Sequence, residues 1–88
     1  MKIKKELIMR EIAGDVILVP VGETVLEHNG LFMLNEISGR IWQLLQEGTS
    51  FEEIAETLEG EYDAPSQVIR QDLEEFLNAL VAHGILER

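Results

Sequence analysis

The segment Leu31–Leu45 changes its hydrophobic period in the middle, and the rest of the chain has to be arranged around that change. Leu31-Phe32-Met33-Leu34 is a short, wholly apolar run that reads as a strand. From Ile37 onward the apolar positions fall at Ile37, Ile41, Leu44 and Leu45, which is one face of a helix. Asn35 stands at the changeover, where its side-chain oxygen can accept from the first free backbone N–H groups of the helix. The segment therefore predicts a strand delivered straight into a capped helix.

Upstream, Leu7 to Ala13 and Val16 to Val19 are rich in strand formers, and Gly14-Asp15 between them suits a two-residue turn with glycine first. Pro20 cannot donate to a ladder, so the second strand should end there or lie at an edge. Thr24 to His28 reads as a further short strand, joined to Leu31–Leu34 by Asn29-Gly30, a strong hairpin signal. Three to four short antiparallel strands are thus expected before the first helix.

Downstream, helix one should run from about Glu36 to Glu47 and stop at Gly48. Gly39 inside it marks either close packing against a neighbour or a bend. Ser50-Phe51-Glu52-Glu53 fits a capping box, starting a second helix that Gly60 is expected to end. A third helix should begin near Asp63-Ala64-Pro65, with Asp63 as cap, and close at Gly84. Its expected apolar stripe is Val68, Ile69, Leu73, Phe76, Leu77, Leu80 and Val81, after which Ile85-Leu86 return apolar surface to the core. Strands followed by three helices with short connections give an α+β fold resembling a winged helix-turn-helix, read as one domain over residues 1–88.

Charge narrows the function. With 17 acids against 7 bases the net charge is −10, which repels a phosphate backbone. The bases are also displaced: residues 1–10 hold Lys2, Lys4, Lys5 and Arg10, whereas beyond residue 46 only Arg70 and Arg88 oppose a long run of acids. There is no cysteine, so disulfides, thiolate metal sites and a thiol nucleophile are excluded. No apolar run is long enough for a signal peptide or a membrane span, which makes the cytoplasm the expected location.

Catalytic chemistry is not apparent. His28 and His83 lack a ligand partner at helical spacing and read as a turn-adjacent polar residue and a helix C-terminal cation. Glu52, Glu53, Glu56, Glu59, Glu74 and Glu75 read as solvated helix faces rather than a carboxylate site. Trp42 reads as a core anchor. Asp72 falls within or beside the stripe of helix three, so it should cap another element, pair with an arginine such as Arg40, or contact a ligand. The protein is expected to be no enzyme, with neither metal nor cofactor. If Leu31–Leu34 lies at a sheet edge, it can accept an extended peptide as an added strand, with helix three as a second wall; the alternative is an interior strand.

Leu34-Asn35-Glu36, Gly39 and Ile41-Trp42-Gln43-Leu44-Leu45 together resemble the core motif of PqqD-like proteins. Ala13-Gly14-Asp15 before Val16–Pro20, Ser50–Ile54, Tyr62-Asp63, Asp72–Leu77 with Leu80, and Gly84-Ile85-Leu86 extend the likeness over nearly the whole chain from Arg10. The resemblance implies a small winged-helix-like recognition element that binds the leader part of a ribosomally made precursor peptide and presents it to a maturase, often a radical SAM enzyme. It implies strand addition at Leu31, Phe32, Met33 and Leu34. The outward residues of the third helix, Gln67, Arg70, Gln71, Asp72 and Glu74, would then set the register. Partners are accordingly a leader peptide and a modifying enzyme, with no nucleic acid and no membrane, in a monomer or homodimer. Two other readings stay open at this point: a winged-helix transcription regulator, which the charge disfavours, and a structural or dimerisation subunit of a larger enzyme.

Overall fold

The computed structural model describes residues 1–5, 7–20 and 32–88. The strand expected at Thr24–His28, the Asn29-Gly30 turn, His28 and Leu31 lie outside the described residues. The elements in chain order are β1 (Lys2–Ile3), β2 (Leu7–Ile12), β3 (Asp15–Pro20), β4 (Phe32–Leu34), α1 (Glu36–Gln46), α2 (Phe51–Glu61), α3 (Ser66–Ala82) and β5 (Leu86–Glu87). The architecture is α+β, strands first and then three helices, consistent with the winged helix-turn-helix likeness.

Two antiparallel sheets are present among the described strands. One has the order β2-β3-β4, and the other pairs β1 with β5. In the first, Leu7 faces Pro20 and Ile12 faces Asp15 across β2–β3, while Val16 faces Leu34 and Leu18 faces Phe32 across β3–β4. Pro20 closes β3 beyond the reach of β4, so its missing donor breaks no ladder bond to that strand. The hairpin turn is Ala13-Gly14, with φ of +52° and +87°, and not the expected Gly14-Asp15. Two positive φ values make a type I′ turn, whose twist matches the flanking strands, so Asp15 is drawn into the ladder and Ala13 takes a conformation that disfavours a side chain.

β1 and β5 were not expected as strands. Ile3 pairs with Leu86, Lys2 pairs with Glu87, and the Lys4 N–H donates to the Ile85 carbonyl at 2.7 Å. The chain reaches this ladder from α3 through a Schellman turn. Gly84, at φ +71°, lets its own N–H return to Val81 and the Ile85 N–H to Leu80.

The helix starts follow local rules where a short polar side chain is available. Asn35 accepts from the Ser38 N–H at 2.8 Å and caps α1. Ser50 and Glu53 form the expected capping box at the head of α2. Two boundaries differ from expectation. Helix α2 runs through Gly60 to Glu61, with extended Tyr62 as its C-cap. Helix α3 starts only at Ser66, because a residue before proline is disfavoured in the helical region, which prevents Ala64 from opening the helix. Asp63 is therefore out of capping reach, Pro65 takes the N-cap position, and no side chain caps the helix.

The core is formed by Leu7, Leu18 and Leu34 from the sheet and by Ile41, Trp42, Leu45, Ile54, Leu58, Ile69, Leu73, Leu77 and Leu80 from the helices, closed by Ile85 and Leu86. Trp42 is buried, as expected of an anchor, although its indole Nε1 finds no hydrogen-bond acceptor among the described residues. A Cβ at Gly39 would stand 3.5 Å from Met9 Sδ and 3.7 Å from Val16 Cγ1, so α1 packs close to the sheet there. The stripe on α3 is narrower than expected. Val68 and Val81 are 47% and 41% exposed, because the helix touches its neighbours over the arc of Ile69, Leu73, Leu77 and Leu80. Among the described residues no helix is long and apolar enough to cross a membrane.

Candidate functional site

Three arginines on the helical side and at the C-terminal end are committed to carboxylates. Arg40 grips Glu61 through two hydrogen bonds of 2.8 Å, linking α1 to the last turn of α2. Arg70 reaches Glu52 at 2.9 Å and Glu59 at 3.2 Å, linking α3 to α2. Arg88 holds Glu74 at 2.6 Å and Asn78 at 3.0 Å, and lies 5.8 Å from the centre of the Phe51 ring. These contacts hold the carboxyls of Glu61 and Glu74 below their usual range. Glu59 is lowered first by the hydroxyl of Ser66, which donates to it, and then by Arg70. Of the three roles expected for Asp72, capping another element, pairing with an arginine such as Arg40 or contacting a ligand, the pairing with Arg40 is not made: Arg40 is taken by Glu61, and Asp72 is exposed.

Asp72 instead lines a cavity of about 280 Å³ between the start of α1 and the middle of α3. Asn35, Ile37 and Ser38 form one wall, and Asp72, Glu75 and Phe76 form the other. Each wall has a local cause. Asn35 must sit where β4 ends, because it caps the helix that follows immediately. Asp72, Glu75 and Phe76 recur at helical spacing, so α3 presents them on one flank. The groove begins one residue beyond β4, which stands at the end of its sheet among the described strands. Ile37 and Phe76 supply apolar surface and Asp72 and Glu75 supply carboxylates, an arrangement that can hold side chains of both kinds.

The structure distributes the sequence-derived candidates unevenly. Leu31 lies outside the described residues, while Phe32, Met33 and Leu34 form β4. Asp72 is in the groove. Gln71 lies beside it on the solvent side, 3.5 Å from Glu75, and Gln67 is exposed. Arg70 and Glu74 lie on the other flank of α3, about 160–200° around the helix from Asp72, and are held by α2 and Arg88. Asn35, Ile37, Ser38, Glu75 and Phe76 line the groove but were not among the candidates. The helical spacing from Asp72 to Phe76 and the position of Asn35 directly after the strand are the sequence signals that could have added them.

A larger cavity of about 600 Å³ lies near β1 and the start of β2, where Ile3, Lys4, Lys5, Leu7 and Ile8 meet Trp42 and Gln46 of α1. Among the described residues no group of histidine, cysteine, aspartate or glutamate is placed to hold a metal ion.

Over residues 16–86 the chain matches the family model described as coenzyme PQQ synthesis protein D (PqqD). The chain belongs to the PqqD family. Two solved structures share the fold of this PqqD-family chain. One, TbiB1 in complex with the TbiA(beta) leader peptide, is 32% identical with a TM-score of 0.76, covering 99% of this chain and 95% of that one. The other, lasso peptide synthetase B1 complexed with the leader peptide, superposes with a TM-score of 0.75 over 99% and 96% of the two chains; at 18% identity it speaks for the fold alone. A comparison with curated proteins found no match.

Proposed function

We propose that this PqqD-family protein binds the leader segment of a ribosomally made precursor peptide and presents it to a separate modifying enzyme, without performing chemistry itself. The peptide adds as a strand along the side of β4 away from β3, where no described strand pairs, and directs alternate side chains toward α3. The observation that carries this reading is the position of β4, at the end of its sheet among the described strands and continuous with the groove between α1 and α3. Support comes from the 32%-identical relative, which is itself complexed with a leader peptide. The modifying enzyme we favour is a radical SAM maturase, the partner that the family resemblance suggests.

The test is a titration of the isotope-labelled protein with a synthetic leader from the short reading frame neighbouring its gene. Backbone amides of Phe32–Asn35 and Asp72–Phe76 should shift together and saturate. Shifts confined to the cavity beside Trp42, or no binding at micromolar peptide, would overturn the proposal. Co-purification of the neighbouring maturase with the protein tests the second half of the reading.

A further inference from the structure

The charges around the groove are asymmetric in a way that the net charge alone does not convey. Arg40, Arg70 and Arg88 are all engaged by carboxylates away from it. The other bases, Lys2, Lys4, Lys5 and Arg10, belong to the first ten residues, on or beside β1 and β2, and β3 separates β2 from β4. The groove itself is lined by two carboxylates and no base. Asp72 has no ion-pair or hydrogen-bond partner among the described residues, and Glu75 has only the long contact to the uncharged Gln71. The fold thus neutralises the acids on one flank of α3 and leaves those on the other flank open.

The apolar residues beside these acids have a matching order. Val68, Asp72 and Phe76 occupy successive turns on one side of α3, an apolar–acidic–apolar ladder in which Val68 is 47% exposed and Phe76 is a core residue, 8% exposed, that also lines the groove. Four residues of helix rise about 6 Å, and two residues of strand rise about 6.8 Å. A strand laid along α3 can therefore place every second side chain against one rung of the ladder. Resting on the strand-addition reading, we infer that the peptide taken by this groove carries a lysine or arginine with an apolar residue two positions away on each side. The base meets Asp72 and Glu75, and the apolar residues cover Val68 and the Ile37–Phe76 surface.

A random-sequence peptide library displayed on phage and panned against the whole protein supplies the probe. Enriched peptides should share the apolar-x-basic-x-apolar pattern. Synthetic versions should shift the amides of Phe32–Asn35, and changing their base to glutamine should weaken binding about three- to tenfold. In the double variant Asp72→Asn, Glu75→Gln that difference should vanish while the peptides still bind. Peptides that shift the β4 amides but need no base, or a preference for the base that survives in the double variant, overturn this inference and leave strand addition standing. Enriched peptides that act only at other amides, or no enrichment at all, overturn strand addition and this inference with it.

Discussion

Arg40 on α1 and Glu61 at the end of α2 are joined by two parallel hydrogen bonds, Nε to Oε1 and Nη2 to Oε2, both 2.8 Å long. The planar guanidinium fits the carboxylate as a fork and ties the two helices together at the surface. Arg88 repeats the fork on Glu74 of α3, whereas Arg70 divides its two Nη groups between Glu52 and Glu59 of α2.

These pairs set an acid limit to stability. The carboxyls of Glu59, Glu61 and Glu74 lie below their ordinary value of 4.5 in the folded chain. A lowered folded value means that the fold favours the ionised form. The contribution is therefore complete above the unfolded value and is lost as pH falls through the folded one. The melting temperature should hold steady down to about pH 5 and fall below about pH 4. The triple variant Arg40→Gln, Arg70→Gln, Arg88→Gln should show a shallower fall over the same window in thermal melts followed by circular dichroism. Equal slopes for the two proteins would show that other groups control the acid transition.

Gly39 should tolerate alanine. The added Cβ would make ordinary contacts at 3.5 and 3.7 Å, and alanine is the better helix former by about 1 kcal/mol. Gly39→Ala should match or raise the urea midpoint. Gly39→Leu drives further carbons into Met9 and Val16 and should cost about 1–3 kcal/mol. An alanine variant as unstable as the leucine one would mean that the sheet cannot yield at all.

Ala13 carries the left-handed strain of the β2–β3 turn at φ +52°. Asparagine adopts that conformation more readily, and Asn-Gly is a preferred type I′ pair. Ala13→Asn should therefore stabilise the fold by about 0.5–1 kcal/mol, read as a higher denaturation midpoint with an unchanged slope. No gain would count against the type I′ turn.

The features legible in the sequence were those with short-range causes. Asn35 and the Ser50–Glu53 pair announce their helices because capping is settled within one turn of chain. The β2–β3 hairpin was equally local, and its turn was misplaced by one residue because the glycine was assigned to the first turn position instead of the second. The β1–β5 ladder left no such trace. Nothing in Lys2-Ile3 marks a strand until Leu86-Glu87 arrives from the far end of the chain. The groove was half legible for the same reason. Helical spacing shows that Arg70, Asp72 and Glu74 reach the surface, but which of them faces β4 depends on where α2 and Arg88 lie. Phe76 and Asn35 were read for their structural duties alone, as core stripe and helix cap, whereas each also forms part of the groove wall.

The pairing of Lys2 with Glu87 brings the first and last turns of the chain to one place and turns the fold into a nearly closed ring. Topologically the ring has no privileged opening. A short flexible joint between the ends, with the chain cut at the exposed Gly48 in the turn between α1 and α2, would give a circular permutant that keeps the core contacts, the ladders and the groove. Any domain attached at either end would leave the fold from the same point, beside β5, while β4 and α3 keep their original relation.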